Sequence, residues 1–151
     1  MVAGVIVTHG QLAQALLDTA RLIVGDLPHV QAVCLEPWDG GEVCNAKVHR
    51  AIDAVDQGDG VLVLADLPGG TPCNVGIGCL ADRRVEVVTG VNVSMLVKLR
   101  GLQLAGADLL DAAHQVAVHG ASSVRVMSEE VRARAEAQAR AAAAGSGEPG
   151  R

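Results

Sequence analysis

The chain has 151 residues, half of them apolar, and a formal net charge of −5. That length suits one folded unit with a sizeable core, and the core must be aliphatic, because the sequence holds no Phe, no Tyr and a single Trp38. An acidic chain almost without aromatics lacks the basic surface and stacking platforms that nucleic acids need; it also has neither a bilayer-length apolar run nor a secretory-signal pattern, so a cytoplasmic protein is expected.

The first element is a strand, Val2 to Val7, apolar enough to be buried on both faces. It runs into Thr8-His9-Gly10, where glycine turns the chain, and a helix begins at Leu12 with Ala15, Leu16, Thr19 and Ile23 at helical spacing. His9 therefore stands between the carboxyl end of a strand and the amino end of a helix. Unpaired N–H groups and the positive end of the helix dipole favour anions at such junctions.

Val30–Leu35 reads as the second strand, and Glu36-Pro37-Trp38-Asp39-Gly40-Gly41 as a turn. The next helix carries Cys44, Val48, Ala51, Ile52 and Val55 on one face; Lys47, Arg50, Asp53 and Asp56 face outward and His49 sits on the solvated rim. Gly58-Asp59-Gly60 breaks this helix. VLVLA, residues 61–65, is the most strand-like segment and stops on Asp66. The loop from Leu67 to Cys73 follows, with Asn74 as the expected cap of a short helix whose small residues Gly76, Gly78 and Ala81 allow close approach to a sheet.

Val85–Thr89 is the fourth strand, Gly90-Val91-Asn92 a loop, and Val93–Leu99 a helix. Asp108 caps a further helix with Leu109, Ala112, Ala113, Val116 and Ala117 on its apolar face and Gly120 at its end. Ser123–Met127 reads as a short last strand. Residues 128–151, rich in Ala, Arg and Glu, have little to bury and are expected to form a frayed helix and a flexible end, which leaves 1–127 as the domain.

Alternation of this kind implies an α/β fold, a doubly wound parallel sheet of order 2-1-3-4. The topological switch point then falls between strands one and three, where ligands bind beyond the carboxyl ends. His9 and Asp66 end those two strands. A carboxylate facing an imidazole fixes its tautomer and leaves the other nitrogen as a nucleophile. Gly69, Gly70 and the Thr71 hydroxyl, with Gly10 opposite, are equipped to cradle phosphate oxygens without a Walker lysine; a plain turn with a helix cap is the alternative for that segment. The four cysteines form no CxxC pair and no metal-ligand spacing, so reduced thiols and no metal or other cofactor are expected. His29, His49, His114 and His119 are expected at surfaces or helix ends, outside the chemistry.

VIVTHGQ, VLVLADLPGGTPCN and VTGVNVSML together resemble the mannose-family enzyme IIA domain of the bacterial sugar phosphotransferase system, over residues 1–127. The resemblance implies that His9 accepts a phosphoryl group from the histidine phosphocarrier protein and passes it to an enzyme IIB. It also implies that Asp66 pairs with that histidine and that Thr71 lies against the phosphate. Family members exchange a carboxyl-terminal strand in a homodimer; here that strand would be Ser123–Met127, added antiparallel to the partner's sheet. Departures from the family at Pro68, Cys73 and Ser94 fall on the expected docking rim, for which Leu67, Pro68, Val91, Asn92 and Met95 are the candidates. The enzyme IIB is expected on a separate chain, with the membrane reached only through a permease complex.

Other readings share the motifs. The same phosphohistidine could report metabolic status without transport, or supply a dihydroxyacetone kinase. A response-regulator receiver also ends its third strand on an aspartate, but it needs an acidic pair where this chain has Thr8-His9, and a lysine that is missing here. A silent flavodoxin-like binding module is the remaining alternative.

Overall fold

The computed structural model describes residues 1–146. The elements run β1 (Ala3–His9), α1 (Leu12–Val24), β2 (Val30–Leu35), α2 (Gly41–Val55), β3 (Val61–Ala65), α3 (Thr71–Gly78) with a short 3-10 turn at Cys79–Ala81, then β4 (Val85–Thr89), α4 (Val93–Ala105), α5 (Leu109–Ser122) and α6 (Met127–Gly145). The strands form one sheet of order β2-β1-β3-β4, and every neighbouring pair is parallel. This is the predicted order.

The pleat divides the core into two layers. From the central strands, Ile6, Leu62 and Leu64 point to the side covered by α1, α4 and α5, where they meet Leu17, Leu96, Leu99 and Val116. Ala3, Val5, Val7, Val61 and Val63 point to the other side, against Val48, Ile52 and Val55 of α2 and Val75 of α3. Both central strands are buried on both faces, which is why they appear in the sequence as unbroken apolar runs. Gly76 brings α3 down onto the sheet: a Cβ there would stand 3.0 Å from Val63 Cγ1 and 3.4 Å from a Val87 methyl.

Several expectations need correction. Ser123–Met127 forms no strand in this chain: Ser123 is the C-cap of α5, residues 124–126 are unpaired, and Met127 opens a 19-residue helix. Val124, Val126 and Met127 are exposed, and among the described residues the segment pairs with none of the four strands. The frayed helix expected after residue 128 is continuous to Gly145 and buries none of its residues, while the flexible end expected at 147–151 lies outside the described residues. On α1 the buried positions are Ala13, Leu17 and Ala20, whereas Leu12 and Ile23 are exposed. Asn74 does not cap α3; Gly70 is its N-cap, with proline in the first turn where its missing N–H costs nothing. α4 continues past Leu99 to Ala105, and α5 past Gly120 to Ser122. Among the described residues no helix is long and apolar enough to cross a membrane.

β1 hands over to α1 through a buried hydroxyl. Thr8, fully buried, accepts the N–H of Ala13 at 2.7 Å, and Gly10 takes a left-handed φ of +55° and donates its N–H to Leu35 O at 2.8 Å. The start of α1 is thereby tied to both strands beside it. Thr8→Val keeps the shape and strands the Ala13 N–H in the core, so thermal unfolding should show a loss of about 1–3 kcal/mol; an unchanged melting temperature would remove the hydroxyl from this role.

Candidate active site

α1 lies on one face of the sheet and α3 on the other, so the chain leaving β1 and the chain leaving β3 diverge and open a crevice at the carboxyl ends of adjacent strands. His9 and Asp66 meet in it. Asp66 Oδ2 accepts the backbone N–H of His9 at 2.9 Å and lies 2.8 Å from His9 Nδ1, while Oδ1 accepts the Leu67 N–H at 3.0 Å. The carboxylate side chain is 10% exposed and the imidazole 53%. One carboxylate thus holds the main chain of both loops as well as the ring.

Burial alone would push the Asp66 carboxyl up, but the His9 N–H, the His9 ring and the Leu67 N–H outweigh it, and the group is held below its ordinary value. A carboxylate only accepts hydrogen bonds, so Nδ1 carries the proton and the neutral ring has its lone pair on Nε2. Gly70 makes room for this orientation. A Cβ at Gly70 would stand 3.0 Å from His9 Cε1 and 3.6 Å from Nε2. Gly69 supplies the turn before it, at φ +77°.

His9, Gly10 and Thr71 share a depression of about 410 Å³ with Leu35, Glu36, Pro37, Trp38, Asp39 and Cys44. α3 opens beside it with no side chain capping its first N–H groups, so those donors and the Thr71 hydroxyl can serve an anion. The structure therefore brings His9, Asp66, Gly10, Gly70 and Thr71 together. Of the proposed docking residues, Leu67 is 53% exposed and Pro68 is exposed, and Val91 is half-buried against the core. Asn92 is a structural cap: its Oδ1 accepts the Met95 N–H and its Nδ2 donates to Gly120 O. Met95, only 4% exposed, cannot meet a partner, because α5 crosses so closely that a Cβ at Gly120 would fall 2.4 Å from its Cε.

The remaining histidines stay outside the site. His114 and His119 line a separate groove with Lys98; His29 is in a loop at φ +56°; His49 Nδ1 accepts from Arg83 Nε at 3.1 Å and its Nε2 lies 3.6 Å from the buried thiol of Cys79. All four cysteines are free thiols.

A family model described as "PTS system fructose IIA component", EIIA-man, matches residues 3–117. The chain belongs to the EIIA-man family. It is 32% identical over 114 residues to the PTS system fructose-specific EIIA component of Bacillus subtilis strain 168, covering 74% of this chain and 78% of that protein. It is 36% identical over 98 residues to the PTS system mannose-specific EIIAB component of Escherichia coli K12, covering 64% of this chain but only 30% of that longer protein. Among solved structures, the mannose/sorbose specific IIA subunit of Enterococcus faecalis matches at TM-score 0.73 and 28% identity, over 82% of this chain and 92% of that one. Phosphotransferase system component EIIA from Streptococcus agalactiae shares the fold at TM-score 0.77, with 24% identity over 85% and 99% of the two chains.

That Trp38 lines the same depression as His9 is not visible in the residue pattern, where its only signal is an apolar side chain inside a Pro/Gly turn. Nor is the structural use of Thr8. For Asp66 the sign of its contribution follows from the lowered carboxyl: stability is present above the unfolded-state value and lost as pH falls through the folded-state one. Asp66→Asn cannot accept at both oxygens, so one of its partner N–H groups must face an NH₂. It should unfold about 1–3 kcal/mol more readily than the wild type near neutral pH, and the gap should close as pH drops below 3.8, the ordinary value. A gap independent of pH would contradict the charged role of Asp66.

Proposed function

We propose that this EIIA-man member is a phosphocarrier of sugar uptake, in which His9 Nε2 takes a phosphoryl group from the histidine phosphocarrier protein and passes it to an enzyme IIB. The observation that carries the reading is the 2.8 Å pairing of His9 Nδ1 with Asp66 Oδ2, which leaves Nε2 as the nucleophile of a half-exposed ring. In the transfer, the donor's N–P bond breaks as the Nε2–P bond forms, and the donor imidazole departs with the electron pair. His9 keeps its Nδ1 proton. The phosphorylated ring acquires positive character, which the Asp66 carboxylate opposes with negative charge.

A loose phosphoryl-transfer transition state carries its charge on three equatorial oxygens, so the protein's task is alignment and donors in place. Gly69, Gly70 and Thr71 fill that task through main-chain N–H groups and one hydroxyl, with the uncapped start of α3 adding its dipole, while Gly10, whose N–H is held by Leu35 O, leaves the phosphoryl group room beside His9. The acting form is proposed to be a cytoplasmic homodimer in which residues 123–127 of one chain, with Met127 released from the first turn of α6, pair antiparallel with the outer edge of β4 in another. Among the described residues β4 pairs only with β3, and an open edge of this kind calls for cover.

Intact mass after incubation with phosphoenolpyruvate, enzyme I and the histidine phosphocarrier should show one acid-labile phosphoryl group on the wild type and none on His9→Ala. Long-range ¹H–¹⁵N NMR of the phosphorylated protein should place it on Nε2. An unmodified wild type defeats the carrier reading; phosphate on Nδ1 defeats the assigned geometry while leaving the carrier reading standing.

A further inference from the structure

The turn between β2 and α2 presents Trp38, the chain's one aromatic residue, 80% exposed on the wall of the depression that holds His9. Burying an exposed indole is strongly favourable, so its outward placement in an otherwise aliphatic protein calls for a use. The turn is braced. Asp39 accepts the Glu36 N–H at 2.9 Å and returns its own N–H to Glu36 O at 3.0 Å, Lys47 is bound to the Asp39 carboxylate and to Cys34 O, and the Cys44 thiol points at Asp39 O. From the other side, Gln11 of the His9 loop donates to the Glu36 carboxylate. The backbone on either side of Trp38 is therefore held in place before anything binds, which lowers the ordering cost of contact.

We propose that Trp38 anchors the protein that delivers the phosphoryl group to His9, a reading that rests on the carrier function proposed above. A macromolecular donor that brings phosphohistidine to Nε2 must cover the surface around it, and a stable encounter occupies about 800 Å² on each side. The depression joins Trp38 to His9, so the indole falls inside that footprint, with Leu12 at the start of α1 and Leu67 just after β3 as further exposed apolar residues near the chain segments that carry His9 and Asp66. An exposed Trp on a preorganised turn has the character of an interface hot spot.

The charge around it selects the partner's chemistry. Glu36 and Glu42 flank Trp38 in sequence as acids without a cationic partner among the described residues, whereas Lys47 and the buried Asp39 carboxylate neutralise each other. The donor face that fits is an apolar patch fringed with Lys or Arg, and it is drawn in by unlike charge.

Trp38→Ala, Trp38→Phe and the wild type are compared for initial rates of phosphoryl transfer from the phosphorylated carrier protein of the same genome, and for labelling by phosphoramidate, a donor too small to touch Trp38. For Trp38→Ala the KM for the protein donor should rise about 10- to 100-fold with kcat within about twofold, while phosphoramidate labelling and the melting temperature stay unchanged; Trp38→Phe should recover part of the loss. An unchanged KM overturns the anchor. Equal losses with both donors also overturn it, because Trp38 would then be acting on His9 itself. A wild type labelled by phosphoramidate but not by the protein donor overturns the donor assignment, and one labelled by neither overturns the carrier reading beneath it.

Discussion

The site depends on one carboxylate that accepts three hydrogen bonds. Asp66 is at the end of β3, yet two of its bonds go to His9 across the strand boundary, one to the main chain and one to the ring. Because the backbone N–H and the Nδ1–H share the same oxygen, the ring cannot rotate away without parting from an acceptor that its own main chain continues to hold. The third bond, from Leu67 N–H, closes the β3 loop onto the other oxygen. Desolvation opposes ionisation of Asp66 and the three donors favour it; the donors prevail, and the group remains a carboxylate at neutral pH. A neutral acid here would offer an O–H to one of three donors and lose the arrangement.

This makes the sheet order part of the chemistry. Register pairs Val7 with Ala65, so β3 ends just before Asp66 while β1 runs on beside β2 through Thr8 and His9, which brings the ring to the level of the carboxylate. The helices then depart to opposite faces. Gly10 turns toward α1, Gly69 and Gly70 toward α3, and the His9 ring occupies the space that a side chain at Gly70 would fill. In the proposed transfer, that places the nucleophilic nitrogen beside the start of α3, where N–H groups have no capping side chain. Helix-terminal donors suit a site that must take up and release a phosphoryl group, because they orient its oxygens without the point charge of a lysine.

What could be read from the residues follows from where burial is complete. β1 and β3, buried on both faces, show as continuous apolar runs, and α2 shows its face through Val48, Ile52 and Val55. The order 2-1-3-4 followed from that alternation, and with it the meeting of His9 and Asp66. α1 was harder because its contact with the sheet is made by Ala13 and Ala20, whose small side chains let the helix pack closely, while the larger Leu12, Leu22 and Ile23 face solvent. Met95 was misplaced for a related reason: it is near the loops in sequence, but the close crossing of α5 at Gly120 is a contact between distant residues that no local pattern records. The backbone bonds of Asp66 and the braced turn under Trp38 are likewise products of tertiary neighbours. The segment after Ser123 has strand-like composition, but a strand needs a partner, and among the described residues this segment joins none of the four in the sheet.

A carrier must bind two proteins in succession and hold neither. The large exposed apolar residues nearest His9 in the chain segments around it are Leu12 at the start of α1, Trp38 and Leu67, a short set that suits weak contact with fast release. Weak contact still has to align two imidazoles in line. That requirement favours rigid loops, since little of the modest binding energy can be spent on ordering them. The bonds from Asp66 to both loops, and from Asp39 and Lys47 across the Trp38 turn, supply that rigidity in advance. In the proposed transfer, the same network that fixes the tautomer of His9 thus also serves brief contact with donor and acceptor.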